Sequence, residues 1–204
     1  MGLKITNAHG QTPLDPDEAE GLIPKNISTQ KELNEFEQLN IQKAFKWSLT
    51  KKFNKEQVLS EDFIISLHKR MYRDVWKWAG QFRKTEKNIG VAPYFISTQL
   101  KQLLDDTIWW NDHSTFPEEE IAIRFKHRIV SIHCFPNGNG RHSRLMADIM
   151  ISRMFQKEVF SWGKGNLQED NDTRKKYISA LKTADGGDVT ALIEFARSGL
   201  SEKI

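Results

Sequence analysis

The chain has 204 residues, room for one sizeable domain with an extension, and its 38% hydrophobic and 28% charged content excludes a disordered chain. A formal net charge of +3, with both signs interleaved as in KKFNKEQVLSED, gives no reason to expect direct nucleic-acid binding. No stretch reaches the roughly 18 consecutive apolar residues of a membrane span, and the opening MGLKITNAHGQTPLDPDEAEG lacks the apolar core of a secretory signal. The single cysteine, Cys134, cannot form an internal disulfide, so the composition fits a reducing cytoplasm and no membrane.

Residues 1–27, punctuated by Pro13, Pro16, Gly21 and Pro24, predict an irregular arm with no helix of its own. Thr29 followed by Glu32 is a capping-box pattern. It opens a helix to about residue 50 whose apolar stripe is Leu33, Phe36, Ala44 and Trp47. Ser60 precedes a second helix, with Glu61 and Asp62 in its first turn and Phe63, Leu67, Met71 and Val75 facing inward. The run GQFRKTEKNIGVAPYFIS breaks the helical pattern with two glycines, a proline and β-formers, which predicts an exposed loop or short hairpin. Ser97 caps a third helix over about 98–111. Thr115 and Glu118, with Pro117 between them, form a second capping box. The helix it opens carries Ile121, Phe125, Ile129 and Ile132, and must stop near His133 because Pro136, Gly138 and Gly140 follow. Another starts near Arg141 with Leu145, Met146, Ile149, Met150 and Phe155. Asp172 or Thr173 opens the next, and the last runs from about Asp188 to a stop at Gly199. The expected fold class is all-α, a helical bundle with one short β-hairpin.

The chemistry lies at the joint HCFPNGNGRHSR, residues 133–144. A GNG run just before a helix lets backbone N–H groups turn into an anion site, to which the helix N-terminus adds partial positive charge. Arg141 and Arg144, three apart on one face, can fork onto phosphate oxygens. His133 ends the preceding helix across the loop, placed to take a proton from a nucleophile attacking a phosphate held there. Proton acceptor, anion cradle and paired guanidiniums together suggest phosphoryl or nucleotidyl transfer, which depends on positioning and charge stabilisation. A zinc site from His127, His133, Cys134 and His142 has no paired ligand spacing and has arginine neighbours. Trp76, Trp78, Trp109 and Trp110 read as core at helical spacing rather than as a base-stacking surface.

The joint resembles the Fic/Doc family signature HxFx[D/E]GNGRxxR at seven of eight fixed positions, the exception being Asn137 in the acidic place. VWKWAGQFRKTEKNIGVAPYFIS looks like the segment leading into that family's substrate-docking flap. DPDEAEGLIP, ELNEFEQLNI and RLMADIM look like the bacterial branch called mobile mystery protein B. The resemblance implies a Fic core over residues 59–200, preceded by a helical region over 28–58 with an inhibitory role. It implies transfer of AMP from ATP to a Ser, Thr or Tyr hydroxyl of a target protein. His133 would be the base and Phe135 a buried anchor. Gly138, Asn139 and Gly140 would cradle the α- and β-phosphates, and Arg141 would grip the departing phosphates. Arg144 would bind the γ-phosphate or pair with an inhibitory glutamate. The flap, about residues 85–97, would align a target by main-chain pairing. Mg2+ would accompany ATP, less firmly held because Asn137 offers a neutral oxygen in place of a carboxylate.

No clean copy of the family's inhibitory pattern occurs. Glu32 has the spacing from Ser28 but already serves the capping box, and Glu37, in FEQLN, is the inhibitory candidate beside its reading as a solvated helix-face residue. The branch implies a toxin–antitoxin-like pairing with a small DNA-binding protein. Two rivals stay open: transfer of another nucleotide or phosphate-containing moiety, as in related Doc and phosphocholine-transferring proteins, and a non-catalytic nucleotide-binding regulator.

Overall fold

Local capping chemistry starts the bundle. The Thr29 hydroxyl accepts from the Glu32 N–H at 3.2 Å, and the Glu32 carboxylate accepts from the Ser28 and Thr29 N–H groups, both at 2.9 Å. This opens α2, Gln30–Thr50. In the computed structural model, which describes residues 12–164, 167 and 171–199, eight other α-helices accompany it. They are α1 (Pro16–Ala19), α3 (Lys55–Val58), α4 (Glu61–Tyr72), α5 (Ile96–Asp112), α6 (Glu118–Ile132), α7 (Asn139–Ile149), α8 (Asp172–Ala184) and α9 (Thr190–Arg197). A π-helical turn, Met150–Met154, extends α7.

α4 packs on α2, α6 lies between α5 and α7, and α8 pairs with α9. Leu67, Met71, Leu100, Phe125, Phe135 and Met146 are fully buried between them. The joint between α6 and α7 therefore sits at the centre of the bundle, its backbone held from several sides. No helix among the described residues is long and apolar enough to cross a membrane.

Several local expectations need correction. The described part of the arm does contain a helical turn, α1, because Asp15 and Glu18 form a reciprocal capping box around Pro16. Residues 1–11 of the arm lie outside the described residues. Ser97 does not cap α5: a 3-10 turn, Pro93–Phe95, runs directly into it. The Thr115–Glu118 box does not form either, since Glu118 is the first residue of α6 and only Pro117 precedes it. Trp76 and Trp78 are buried, but Trp109 is 59% exposed and stacks on His113.

The expected β-hairpin is absent. Among the described residues there is no strand, only an isolated bridge between Leu22 and Trp76. Residues 81–92 form an irregular loop whose carbonyls meet a side chain rather than a partner strand. The buried Arg83 guanidinium donates from Nε to His133 O at 2.6 Å and from Nη1 to Thr85 O at 2.8 Å, and from Nη2 to the Val91 and Ile132 carbonyls. Two backbone bonds, Arg83 N to Cys134 O and Val91 N to Ile132 O, hang the loop on the α6–α7 joint. One five-donor side chain does the work of a cross-strand ladder.

Candidate active site

α6 ends because His133 takes a left-handed conformation, φ 58° and ψ 60°, a strained state for a residue with a Cβ. The chain then turns through Phe135, which is buried and stacks on His68 with ring centroids 3.7 Å apart. His68 itself is fixed at both nitrogens. Gly80 N–H donates to Nδ1 at 3.0 Å, so Nε2 carries the proton and donates to Asn137 O at 3.1 Å. Gly138 restarts the helix at φ 78°, and a Cβ there would lie 2.5 Å from the Tyr72 ring. Only glycine fits.

The side chain of Asn139 has a part of its own beside the expected backbone cradle. Its buried side chain clasps the loop, accepting from Phe135 N–H at 3.0 Å and donating to Phe135 O at 2.7 Å. Its contribution to an anion is therefore its backbone N–H. The first intrahelical bond of α7 runs from His142 N to Gly138 O, and no side chain caps the helix. The N–H groups of Asn139, Gly140 and Arg141 are left to a ligand, beside the positive end of the helix.

These N–H groups line a cavity of roughly 540 Å³, within the range of small-molecule sites. His133, Asn137, Gly138, Gly140, Arg141 and Arg144 all line it, and Leu167, Ile178 and Leu181 add an apolar wall. Every site residue expected from the sequence thus meets at one place, Glu37 included. Glu37 is buried, not a solvated helix-face residue. Its carboxylate accepts from Arg141 Nη1 at 2.6 Å and from Trp76 Nε1 at 2.7 Å. The expected partner, Arg144, instead stands over the Tyr177 ring at 5.4 Å. Burial alone would lower the Arg141 pKa, but the Glu37 carboxylate and Tyr72 outweigh it and raise the value above its ordinary one.

The imidazole of His133 is pushed down to about 4, first by burial and then by the charge of Arg83. It is neutral at pH 7 and free to accept a proton. Facing its Nε2 at 3.2 Å is the hydroxyl of Thr12, a contact nothing in the sequence signals. Asn137 is held in place too: its Oδ1 accepts from Gly138 N–H at 2.5 Å, and its Nδ2 donates to Thr12 O at 3.4 Å. That Oδ1 is occupied in shaping the loop. Among the described residues no group of three His, Cys, Asp or Glu side chains is placed to hold a metal ion.

A helix N-terminus without a side-chain cap, two arginines beside it and a neutral histidine facing it give this helical domain a site whose chemistry suits a phosphorylated ligand. Residues 58–151 match the Fic/DOC family, so the chain carries a Fic/DOC family domain. A protein adenylyltransferase of Caenorhabditis elegans, fic-1, is 30% identical over 145 residues, 67% of this chain and 26% of that protein. The chain therefore spans about a quarter of the length of that relative. A probable protein adenylyltransferase of Sinorhizobium fredii, y4lH, is 29% identical over 82% of this chain and 84% of its own. Among solved structures, BepC of Bartonella tribocorum with bound AMPPNP superposes with a TM-score of 0.66 at 15% identity, covering 90% of this chain and 97% of that one. Residues 134–508 of C. elegans Fic-1 superpose with a TM-score of 0.65 at 23% identity, covering 87% and 51%. These two likenesses establish the fold.

Proposed function

We propose that this protein transfers AMP from ATP to a Ser, Thr or Tyr hydroxyl of a target protein. The observation that carries the reading is the convergence of His133, the free N–H groups of α7, Arg141 and Arg144 on one nucleotide-sized cavity. The names of the relatives support it. In this reading His133 Nε2 takes the hydroxyl proton as the oxygen attacks the α-phosphorus. The bond from the α-phosphorus to the bridging oxygen breaks, and pyrophosphate leaves. The backbone of Gly138, Asn139 and Gly140 holds the α- and β-phosphates, and the purine lies on the apolar wall of Ile178 and Leu181. Arg141 and Arg144 neutralise the leaving phosphates.

Glu37 restrains this activity, because Arg141 cannot grip a phosphate while it is paired at 2.6 Å. Magnesium would arrive on the triphosphate, with Asn137 a neutral and weak ligand at best. The wider setting follows the branch resemblance: a cytoplasmic bacterial protein partnered by a small DNA-binding protein, with 28–58 as regulatory region and 59–200 as core. A second reading, transfer of another phosphate-bearing moiety, draws on Asn137 standing where the family has an acid.

Incubation with a cell lysate and ATP labelled at the α- or the γ-phosphate tests the reading. Protein-bound label from α-ATP alone supports it, and label from γ-ATP contradicts it. Added mass on the modified peptide separates AMP from any other moiety.

A further inference from the structure

The arm contributes Thr12 and Leu14 to the wall of the cavity, and its attachment is specific. The side chain of Lys87 is almost fully buried and donates to Asp15 Oδ2 at 2.8 Å and Glu18 Oε2 at 2.5 Å. The Thr85 hydroxyl donates to Asp15 at 2.6 Å, and Trp78 Nε1 donates to Glu18 O at 3.0 Å. Backbone bonds from Ile23 N to Val75 O and from Lys77 N to Gly21 O continue the seam. The loop expected to receive a target segment is thus engaged by the chain's own residues 12–23.

What that attachment delivers is a hydroxyl. Thr12 is 8% exposed, its Oγ1 lies 3.2 Å from His133 Nε2, and its carbonyl accepts from Asn137 Nδ2. Thr12 lines the same cavity as Gly138, Gly140, Arg141 and Arg144. A plug could be any side chain of the right size. A hydroxyl within hydrogen-bond reach of the general base is the geometry of an acceptor.

We propose that Thr12 is a modification site of this protein, adenylylated in cis by its own active site. The inference rests on the proposed AMP transfer from ATP. Thr12 Oγ1 bonds to the α-phosphorus of ATP, its proton passes to His133 Nε2, the bond to the bridging oxygen breaks, and pyrophosphate departs. The product is a phosphodiester with added bulk and a negative charge. It no longer fits the buried seat against His133, so the arm leaves and the cavity opens to other hydroxyls. Each chain then undergoes the reaction once.

The test uses the full chain carrying Glu37→Gly, to free Arg141, with α-labelled ATP, alone and with a cell lysate. The expected result is one AMP per chain, mapped to Thr12 by peptide mass spectrometry. The rate per chain is expected to stay constant over a hundredfold dilution. Thr12→Val, which keeps the arm seated but cannot be modified, should lower both self-label and lysate label at least tenfold, and Thr12→Ser should restore both. Asp15→Ala, which removes the acceptor of Lys87 and Thr85 and loosens the arm outside the cavity, should slow self-labelling several-fold without reducing lysate labelling. Self-label that maps elsewhere, survives Thr12→Val or falls with dilution overturns the proposal. Lysate label with an unmodified Thr12 overturns it while leaving AMP transfer standing. No label on chain or lysate overturns both.

Discussion

At the scale of single residues, the site is governed by who holds each polar atom. Glu37 sits between two donors, Arg141 and Trp76, so both its oxygens are engaged and the arginine is withdrawn from any phosphate. Trp76→Phe keeps an aromatic side chain, though a smaller one, and removes the indole N–H, leaving a buried carboxylate oxygen short of a donor, a loss of about 1–3 kcal/mol. The restraint should weaken, and basal AMP transfer should rise several-fold. Glu37→Gly should raise it further, whereas Glu32→Gly should only weaken the start of α2 by about 1 kcal/mol. Transfer assays with labelled ATP check the order; activation by Glu32→Gly alone would place the restraint elsewhere. Asn137 allows a second prediction. Asn137→Asp keeps the oxygen that accepts from Gly138 N–H and adds a full charge where the ATP-bound cation would pass. The magnesium concentration for half-maximal transfer should fall, and an unchanged half-point in a titration at fixed ATP would show that the metal does not meet this residue.

Elements were legible in the sequence where a local rule dominates and illegible where a distant side chain does. The starts of α2 and α4 follow from Thr29 and Ser60, whose hydroxyls accept the N–H groups three residues on. The stop of α6 and restart of α7 follow from the glycines and proline after His133, and the candidate site could be read from the same run. Residues 81–92 could not, because β-formers between turn residues describe a hairpin equally well. What decides against it is Arg83, which reaches fifty residues along the chain to the His133 carbonyl. Thr12 gave no signal either, since its role exists only once the arm folds over the joint. Arg83→Met keeps the stem but strips donors from several buried carbonyls, and should cost about 3 kcal/mol or more. Denaturant unfolding would measure it; a loss below about 1 kcal/mol would mean that the loop is held by its backbone bonds alone.

For the whole molecule, burying so many polar groups ties stability to pH. Burial holds the imidazoles of His133 and His142 down to about 4, and that of His68 well below its ordinary value. The unfolded chain protonates them below about 6.5. Their contribution is therefore complete above pH 6.5 and is lost as the pH falls toward 4. Asp148 works in the opposite sense. Burial raises its carboxyl to about 7, so acid restores stability there between about 7 and 4. Three imidazoles against one carboxyl leave a net loss of about 2–3 kcal/mol per pH unit. Tm should drop by on the order of 10 °C between pH 7 and pH 5, and a flat or rising Tm would show that these histidines are not buried neutral.

The core of the proposed function is that one cavity binds the nucleotide and one histidine in it moves the proton. The most direct measurement compares Glu37→Gly with Glu37→Gly/His133→Ala, recording α-phosphate transfer and ATP binding side by side. Loss of a general base should slow transfer by about 10²–10⁴-fold, while ATP affinity, set by the α7 backbone and the two arginines, changes little. Transfer within about threefold of the parent, or loss of ATP binding along with transfer, would contradict it.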